Sequence, residues 1–456
     1  QEALEDLKFR LGDQWPAEMQ NSRQLESRPM LTINETDSYC RQITNQIRQQ
    51  RPRIKVHPIN RLADDKIAEI ITGITRHIEV NSDADNAYDL ASDYAVTMGF
   101  GYWRVATNYV REDSFDQDIY INSIDNPFTV YFDPNSTLPD GSDSERCLLT
   151  DLISKKEFKR LYPSAQDSGF NERAGGDSTS RWVTKEDIRL AEYFTVEKVK
   201  STLLMLSSKA VIWKDKLPDK AILDAAQIRV VGERESYRRI VKWRKQSAFE
   251  ILEENIWPGR YIPIVPVYGQ VFVVDGKRRK FGMVRFARDP QKLVNYWQTS
   301  ITESIALAPK AKWLLAEGQD EGHENEFAQA NVSARPVLRY KQTDVDGQPA
   351  PPPQRIQPEP PPAGAIEASM QASQNLQRVV GMFDPAVRGQ QTKSGKALNA
   401  EQQQSDMSNF QFYDNLTRSI KHTGRIILDL APTVYDQERV MRIIGDDGKA
   451  DMVTIN

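Results

Sequence analysis

The stretch Phe410-Gln-Phe-Tyr-Asp-Asn-Leu416 decides the fold, because it lies within a very long helical pattern of this 456-residue chain. Apolar positions recur at helical spacing from about Lys396 to Leu430, and Pro432 marks the end of the pattern. Roughly 35 residues of α-helix span on the order of 50 Å. A helix of this length is uncommon in a compact globular domain. We therefore expect the C-terminal part of the chain to be organised around one long helix over residues 396–431.

The segment before this helix, Gly389-Gln-Gln-Thr-Lys-Ser-Gly-Lys-Ala397, is close to a phosphate-binding loop but does not complete one. A Walker A loop has four residues between its glycines and a serine or threonine directly after its lysine. Here five residues separate Gly389 from Gly395, and Ala397 occupies the position of the hydroxyl. Upstream, where a buried strand should precede the loop, residues 376–385 have the pattern of a helix end and a turn. The sequence therefore favours a basic, flexible loop joining two helices over a nucleotide site.

Two further helical patterns lie N-terminal to this loop and flank a proline-rich segment. The first begins at Asp289 and Pro290, since aspartate caps helices and proline suits the first helical position. Its apolar residues repeat at every fourth position until Pro309 and are Leu293, Trp297, Ile301 and Ile305. The second pattern covers about residues 365–382. Between them, residues 348–362 favour polyproline II, either as an exposed docking arm for a partner or as a semi-rigid spacer.

Residues 1–288 mix helices with short strands. Helices are predicted over 2–26 and 36–50, the second capped by Asn34 or Thr36, and over most of the stretch from Asp64 to Gly99. Short runs of β-branched and aromatic residues then predict strands at 103–110, 119–121, 128–132, 147–153, 188–206, 210–213, 239–243, 251–256, 259–266 and 271–274. Residues 164–180, rich in Ser, Gly and Asp, predict a surface loop. The predicted fold class is α+β.

Composition excludes several classes of protein. The chain carries 60 Lys+Arg against 64 Asp+Glu, a net charge of −4, which does not suit a dedicated nucleic-acid grip. The two cysteines, Cys40 and Cys147, argue against a disulfide framework and suit a reducing compartment. No apolar run approaches membrane-spanning length, so we expect no membrane partner. Because the chain opens on Gln1 and ends in a strand-like alternation, we expect it to be a segment of a longer chain.

The residues that usually carry catalysis or bind metals form no motif here. The four histidines, His57, His77, His323 and His422, are scattered, neither cysteine has a metal-ligand pattern, and no G-x-S-x-G sequence is present. The acidic residues within 132–143 depart from the spacing of an EF-hand loop, and turn chemistry is favoured over a bound cation. We predict no catalytic, cofactor-binding or metal-binding residue.

Several short motifs, in their order along the chain, resemble the portal proteins of tailed bacteriophages, specifically those of short-tailed phages that infect enteric bacteria and their relatives. Each motif is short, but their number makes the resemblance specific, and it covers nearly the whole chain. The matching segments are Gly12–Pro16, Arg28–Asn34, Arg51–Val56, Tyr261–Gly269, Phe383–Pro385, Phe412–Leu416 and Thr423–Leu430.

The resemblance implies a function and a set of partners. It implies a ring of twelve subunits at one capsid vertex, through which double-stranded DNA is packaged and later ejected. It also implies docking of the terminase motor, of tail adaptor proteins, and of capsid and scaffolding proteins. The ring would be assembled in the host cytoplasm and become part of the virion. No enzymatic activity is implied.

The resemblance further implies an α+β subunit that is divided into the parts of a portal subunit. Those parts are a wing over 1–288, a first stem helix over 289–308, a small α/β clip over 309–364, a second stem helix over 365–383, a channel (tunnel) loop over 384–395, a long wing helix over 396–431 and the start of a crown over 432–456.

Two groups of residues are candidates for functional contacts. Arg388, Lys393 and Lys396 supply the basic charge around the channel loop, and would make weak, salt-sensitive contacts with DNA phosphates. The alternative is a solvated loop whose charges pair between subunits. On the first stem helix, Leu293, Trp297 and Ile301 are predicted to pack between neighbouring helices or subunits.

Two other functions stay open at this point. A P-loop DNA-packaging ATPase would use Lys396 to bind nucleotide and would hydrolyse it. Another virion connector, such as a head-completion or tail-adaptor ring, would also form a ring, but such chains are usually much shorter.

Overall fold

The computed structural model describes residues 1–58, 65–166, 186–207, 211–217, 227–307, 312–330, 337–345, 347–356, 363–382, 395–436, 439–444 and 450–455. The predicted surface loop at 164–180 lies almost entirely outside these ranges. The chain divides into two compact units. The sheet unit comprises Gln1–Leu7, Cys40–Arg285 and Asp406–Asn456, and the helix unit comprises Lys8–Tyr39 and Phe286–Ser405.

Helices and strands occupy largely separate runs along the chain, as in an α+β fold, which confirms the predicted fold class. The helices are α1 Glu2–Arg10, α2 Ala17–Leu25, α3 Glu35–Gln49, α4 Asp65–Asn81, α5 Ala84–Met98, α6 Lys155–Leu161, α7 Met283–Leu307, α8 Glu324–Ala328, α9 Ala363–Val380 and α10 Gly395–Val434. The strands are β1 Phe100–Tyr109, β2 Gln117–Ser123, β3 Val130–Phe132, β4 Arg146–Ser154, β5 Asp187–Leu206, β6 Val211–Trp213, β7 Val230–Gln246, β8 Ile251–Trp257, β9 Ile264–Tyr268, β10 Gln270–Val274, β11 Lys277–Phe281, β12 Lys312–Leu314, β13 Asp344–Val345, β14 Gln348–Pro349, β15 Gln354–Ile356, β16 Arg439–Ile444 and β17 Ala450–Ile455.

Two antiparallel sheets dominate the sheet unit. The smaller has the strand order β2-β1-β9, and the larger has the order β3-β4-β5-β7-β8, with β6 also paired to β5. A buried cluster that includes Tyr102, Cys147, Phe194, Val241 and Ile264 contains residues from both sheets. Such burial of apolar side chains is the main favourable contribution to folding.

The long helix α10 covers the edge strand β9 of the smaller sheet. An edge strand presents backbone groups that need partners. Asn415 and Ser419 lie four residues apart and therefore on one face of the helix. The Asn415 side-chain amide donates to the carbonyl oxygen of Tyr268 (3.0 Å), and the Ser419 hydroxyl donates to that of Pro266 (2.7 Å). Side chains of the helix thus satisfy carbonyl groups that a further strand would otherwise bind.

Trp103 on β1 joins three elements in the core of the sheet unit. Its side chain is fully buried. The indole ring meets the ring of Tyr88 on α5 edge to face, with 4.8 Å between centroids. Its Nε1 donates to Thr423 Oγ1 on α10 at 2.9 Å, which supplies the partner that a buried indole N–H needs.

Several predicted boundaries are confirmed. Helix α5 ends at Gly99, whose φ of 101° is the left-handed conformation common after helices. The Asn34 side-chain oxygen accepts from the backbone N–H of Asp37 at 3.3 Å, so Asn34 caps α3 as predicted. Helix α10 starts at Gly395, next to the predicted Lys396, but its predicted end at Pro432 is wrong, because the helix includes that proline and runs to Val434.

The single helix predicted over residues 2–26 is wrong, because two helices form there. Helix α1 ends at Arg10, and α2 begins at Ala17. Between them, Gly12 adopts a φ of 107°, which a helix cannot include, and Pro16 precedes the first turn of α2.

The predicted start of the first stem helix at Asp289 is also wrong, because α7 begins at Met283. Pro290 therefore lies inside the helix, where it lacks the N–H that would donate to the carbonyl of Phe286. Met283 and Val284 are buried, and their burial stabilises the first turns of the helix despite the missing hydrogen bond.

Several strands differ from the sequence prediction, and β7 and β11 are the examples with the clearest physical reason. Strand β7 runs over Val230–Gln246 instead of 239–243, because its charged residues pair with β5 along almost its whole length. Strand β11, Lys277–Phe281, was not predicted, since four consecutive basic residues have no strand pattern. Its pairing with β10 forms the strand instead.

Candidate subunit interface and channel residues

The residues predicted to contact DNA lie where the structure gives no side-chain geometry. Arg388 and Lys393 fall outside the described residues. Lys396 lies in the first turn of α10, and its side chain is not among those described. Contact between these three residues and DNA phosphates therefore stays a prediction.

The predicted packing residues of α7 lie on the outward face of the helix unit. Leu293 is 49% exposed, Trp297 and Ile301 are half-buried, and Ile305 is 58% exposed. Tyr296 is also exposed, and its ring meets that of Trp297 edge to face at 5.5 Å. These side chains form an apolar stripe along α7 that the described part of the chain covers only in part.

The opposite face of α7 is polar and buried. Four residues spaced by four positions are each at most 8% exposed, and they are Gln291, Asn295, Thr299 and Glu303. An ordinary surface helix does the reverse, because apolar side chains gain most from leaving water. We call α7 inverted, because it buries this polar row, together with apolar residues such as Val294, while it leaves large apolar side chains exposed.

Backbone groups of the N-terminal segment 26–36 satisfy the first of these buried polar residues. Gln291 Oε1 accepts from the backbone N–H of Thr36 (3.1 Å) and from its hydroxyl (3.0 Å). Gln291 Nε2 donates to the carbonyl oxygen of Ile33 at 2.6 Å. Both ends of the amide are thus bonded, as a buried polar side chain requires.

The same segment satisfies the next two positions of α7. Asn295 Oδ1 accepts from the backbone N–H of Ile33 at 2.9 Å, and its Nδ2 donates to Gln14 Oε1 at 2.6 Å. The backbone N–H of Leu31 donates to Thr299 Oγ1 at 3.1 Å. Extended backbone without a strand partner is thereby bonded to the side of a helix.

A charged cluster ends this row. Glu303 accepts from Arg23 Nη1 at 3.3 Å and from Arg28 Nε. The hydrogen bond from Arg28, followed by that from Arg23, holds the pKa of Glu303 below its usual value. A nearly buried carboxylate with two guanidinium partners stays ionised and fixes the N-terminal segment on α7.

Helix α9 is hydrogen-bonded to α7 and exposes apolar side chains of its own. Gln298 Nε2 on α7 donates to Ser369 Oγ on α9 at 2.8 Å. Helix α9 buries Leu376 and Val380, among others, and leaves three large apolar side chains exposed: Ile366, Met370 and Val379. Both α7 and α9 therefore leave large apolar side chains exposed.

The acidic residues of segment 132–143 take part in turn chemistry. Asp143 accepts from the hydroxyls of Ser136 (2.6 Å) and Thr137 (2.9 Å) and from the backbone N–H of Leu138 (3.2 Å). Burial alone would raise the pKa of Asp143, but the bonds from Ser136 and Thr137 lower it below its usual value. Donors of the turn itself thus occupy this carboxylate, in agreement with the favoured sequence interpretation.

His422 and the two cysteines are buried in the interior of the fold. His422 is 2% exposed and meets Tyr261 edge to face at 5.2 Å, and burial lowers its pKa to about 4. Cys40 and Cys147 are both buried thiols. In the described part of the chain, no three His, Cys, Asp or Glu side chains lie close enough to share a metal ion. None of the helices described there is long and apolar enough to cross a membrane.

Replacing Glu79 with glutamine will stabilise the chain above neutral pH. Glu79 accepts from Tyr88 Oη at 3.1 Å, and burial raises its pKa to about 7. Because the folded pKa lies above the ordinary 4.5, stability falls as pH rises from about 4.5 through 7. Glu79→Gln removes this loss and should add about 3 kcal/mol at pH 8.

Chemical denaturation at pH 5 and pH 8 measures this effect. Glu69→Gln, at an exposed position of the same helix α4, is the control and should change either value by less than about 0.5 kcal/mol. Equal pH dependence in the Glu79→Gln variant and the unaltered chain would contradict the assignment.

Comparison with known proteins places this architecture in a family. The family model described as phage P22-like portal protein matches residues 1–456. The portal protein of Acyrthosiphon pisum secondary endosymbiont phage 1 is 27% identical over 470 aligned positions, which cover 98% of this chain and 64% of that protein. The chain thus spans about two thirds of the length of this relative. The resemblance drawn from short motifs is confirmed: the chain belongs to the P22-like portal protein family.

Proposed function

We propose that this chain is the subunit of a ring that forms the channel for double-stranded DNA at one capsid vertex. The match of the portal family model along the whole of residues 1–456 carries this proposal. Twelve subunits would form the ring, as in the related portals. The ring would be assembled in the host cytoplasm, become part of the virion, and act as a structural component without enzymatic activity.

The inverted helix α7 supports assembly into a ring. A closed ring needs head-to-tail contacts between two different surfaces of each subunit. The apolar side chains of α7 and α9, including Leu293, Trp297 and Ile301, lose contact with water if a neighbouring copy covers them. Complete burial of an exposed side chain of this kind contributes about 1.5–3 kcal/mol, and these half-covered side chains would contribute roughly half of that. The outward stripe is therefore assigned to contacts between copies.

The domain assignment follows from the family and from the order of elements. We assign residues 1–288 to the wing, 289–308 and 365–383 to the stem, 309–364 to the clip, 384–395 to the channel loop, 396–431 to the long wing helix and 432–456 to the start of a crown. In the clip, residues 348–356 of the proline-rich segment supply the short strands β14 and β15, each in a two-stranded sheet. This pairing agrees with the exclusion of proline from central strands and favours the spacer interpretation over the docking arm.

The charge balance of the chain suits a channel through which DNA passes without being bound tightly. A net charge of −4 gives the whole chain no general attraction to phosphate. Arg388, Lys393 and Lys396 would add a few weak contacts at the channel wall, and such contacts carry no sequence information. The terminase motor, tail adaptor proteins, and capsid and scaffolding proteins are the proposed partners at the outer surfaces of the ring.

A packaging assay tests the function and the loop separately. Phage particles made without this chain should contain no DNA, and filled capsids in its absence would contradict the proposed function. Particles with Arg388→Gln, Lys393→Gln and Lys396→Gln should retain less DNA, with a weaker dependence on salt than unaltered particles. Unchanged packaging and retention would show that these three charges have no role in holding DNA.

The ATPase alternative makes a different prediction about Lys396. A P-loop motor would hydrolyse ATP, and Lys396→Ala would abolish that activity. The incomplete phosphate loop predicts no hydrolysis by the purified chain with or without this substitution. A connector ring of another type would account for assembly, but the family match does not favour it.

A further inference from the structure

The tip of the β1–β2 hairpin is acidic and apolar at once. We call residues 109–118 the acidic finger. Its Phe115 is 95% exposed, and Tyr109 and Val110 are also exposed. One arginine, Arg111, stands against four carboxylates, which gives the finger a net charge of −3 from Glu112, Asp113, Asp116 and Asp118. An almost fully exposed phenylalanine beside other exposed apolar side chains, on a loop of mostly negative charge, is typical of a binding surface.

The β10–β11 hairpin has the opposite charge. We call residues 270–281 the basic finger. Its exposed apolar side chains are Phe272, Val273 and Val274. One carboxylate, Asp275, stands against four cations, which gives a net charge of +3 from Lys277, Arg278, Arg279 and Lys280.

Contacts within the basic finger define its shape. Asp275 and Gly276 have φ angles of 50° and 71°, the pattern of a tight type I′ turn that matches the twist of the strands. Lys280 lies 3.7 Å from the centroid of the Tyr268 ring at the base of the hairpin. Lys277, Arg278 and Arg279, nearer the tip, are exposed. Within the same chain, Arg279 pairs with Glu2 at 3.3 Å and Arg278 donates to the carbonyl oxygen of Ser136 at 3.4 Å.

The strand register places the two fingers at opposite ends of one sheet. Strand β1 pairs with β2 up to Tyr109, where the acidic finger begins. At the other end of β1, Phe100 lies opposite Tyr268 of β9, and the chain enters the basic finger two residues later. Strand β1 has ten residues, and ten residues of strand span about 33 Å.

We infer that the acidic finger of one copy docks against the basic finger of the next copy in the ring. This inference rests on the proposed ring assembly. A head-to-tail contact needs two different, complementary surfaces that face opposite directions on one subunit. The fingers meet that requirement, with equal and opposite charge and with apolar side chains on both. Contact would bury Phe115 against the apolar strand β10, while the charges orient the approaching copies.

Charge reversal tests this pairing in the full-length chain. The acidic-finger variant is Glu112→Lys with Asp116→Lys, and the basic-finger variant is Lys277→Glu with Arg278→Glu, which leaves the ion pair between Arg279 and Glu2 in place. Each should raise the concentration needed for half-assembly, measured by sedimentation velocity, by on the order of tenfold or more. The variant with all four changes should assemble nearly as well as the unaltered chain. Glu69→Lys, at an exposed position of helix α4, is the control and should have no effect.

A covalent test reads proximity directly. A Phe115→Cys chain mixed with a Val273→Cys chain should form a disulfide-linked pair under mild oxidation, because the native Cys40 and Cys147 are both buried. Neither single variant alone should form it. Circular dichroism and thermal unfolding would show that each variant is folded.

The outcomes distinguish this inference from the proposed function. If the charge-reversal variants assemble like the unaltered chain and the cysteine variants form no linked pair, the inference is overturned, but the proposed ring is not affected. Lost DNA retention with unchanged assembly in the basic-finger variant would assign that finger to phosphate and also overturn it. A chain that stays monomeric at every concentration would contradict both.

Discussion

Chains that carry Leu293→Asp and Ile305→Asp will stay monomeric at concentrations at which the unaltered chain assembles. Both side chains are about half exposed on the outward stripe of α7, so the folded monomer tolerates the change. At a contact between copies, each carboxylate would be buried without a partner, which costs several kcal/mol. A loss of about 4 kcal/mol at each contact raises the required concentration roughly a thousandfold.

Sedimentation velocity across a concentration series measures the effect. Leu25→Asp is the matched control, because Leu25 is 88% exposed on α2, off the outward stripe. This control should assemble like the unaltered chain. Assembly of the Leu293→Asp, Ile305→Asp chain at an unchanged concentration would show that the stripe of α7 does not contact another copy.

Gln291→Leu, on the other face of the same helix, will destabilise the folded chain by about 3 kcal/mol. Leucine leaves the N–H and hydroxyl of Thr36 and the carbonyl of Ile33 without the bonds that Gln291 provides. Each buried polar group that loses its partner costs about 1–3 kcal/mol. The loss occurs in the monomer, so it does not depend on concentration.

Urea unfolding at a concentration below assembly measures this loss. Gln24→Leu makes the same chemical change at an exposed position of α2 and should alter stability by less than about 0.5 kcal/mol. A change at Gln291 as small as that of the control would mean that the buried bonds contribute little. The two variants of α7 separate assembly from folding, because the apolar stripe is assigned to contacts between copies and the buried polar face stabilises the folded monomer.

Sequence periodicity identified α7 and its apolar stripe but not the polar face. The spacing of Leu293, Trp297 and Ile301 is visible in any helical projection. Gln291 and Asn295 have the same spacing, but polar residues on a helix are usually solvated. Their partners lie in the N-terminal segment about 260 positions away along the chain, and no local pattern records such a contact.

Pairing between distant segments accounts for most of what the sequence did not predict. The extension of β7 and the existence of β11 depend on partner strands and not on their own charged residues. The two fingers could have been noticed, because residues 111–118 and 277–280 are clusters of charge beside turn signals. Their positions at opposite ends of one sheet required the register of β1 with β2 and β9.

For the proposed channel loop, the sequence is more informative than the structure, because most of its residues lie outside the described ranges. The extra residue between Gly389 and Gly395, and Ala397 in place of a hydroxyl, argue against a nucleotide site. Helix α10 begins at Gly395, directly after the loop. A basic segment followed by a long helix, in a portal family chain, is the basis for assigning it to the channel wall.

Electron microscopy of the purified full-length chain tests the central claim most directly. The account predicts closed rings, twelve-fold when viewed from above, with an open channel along the axis and with the outward stripe of α7 at the contact between neighbouring copies. A monomer at all concentrations, or a ring without a through-channel, would contradict it.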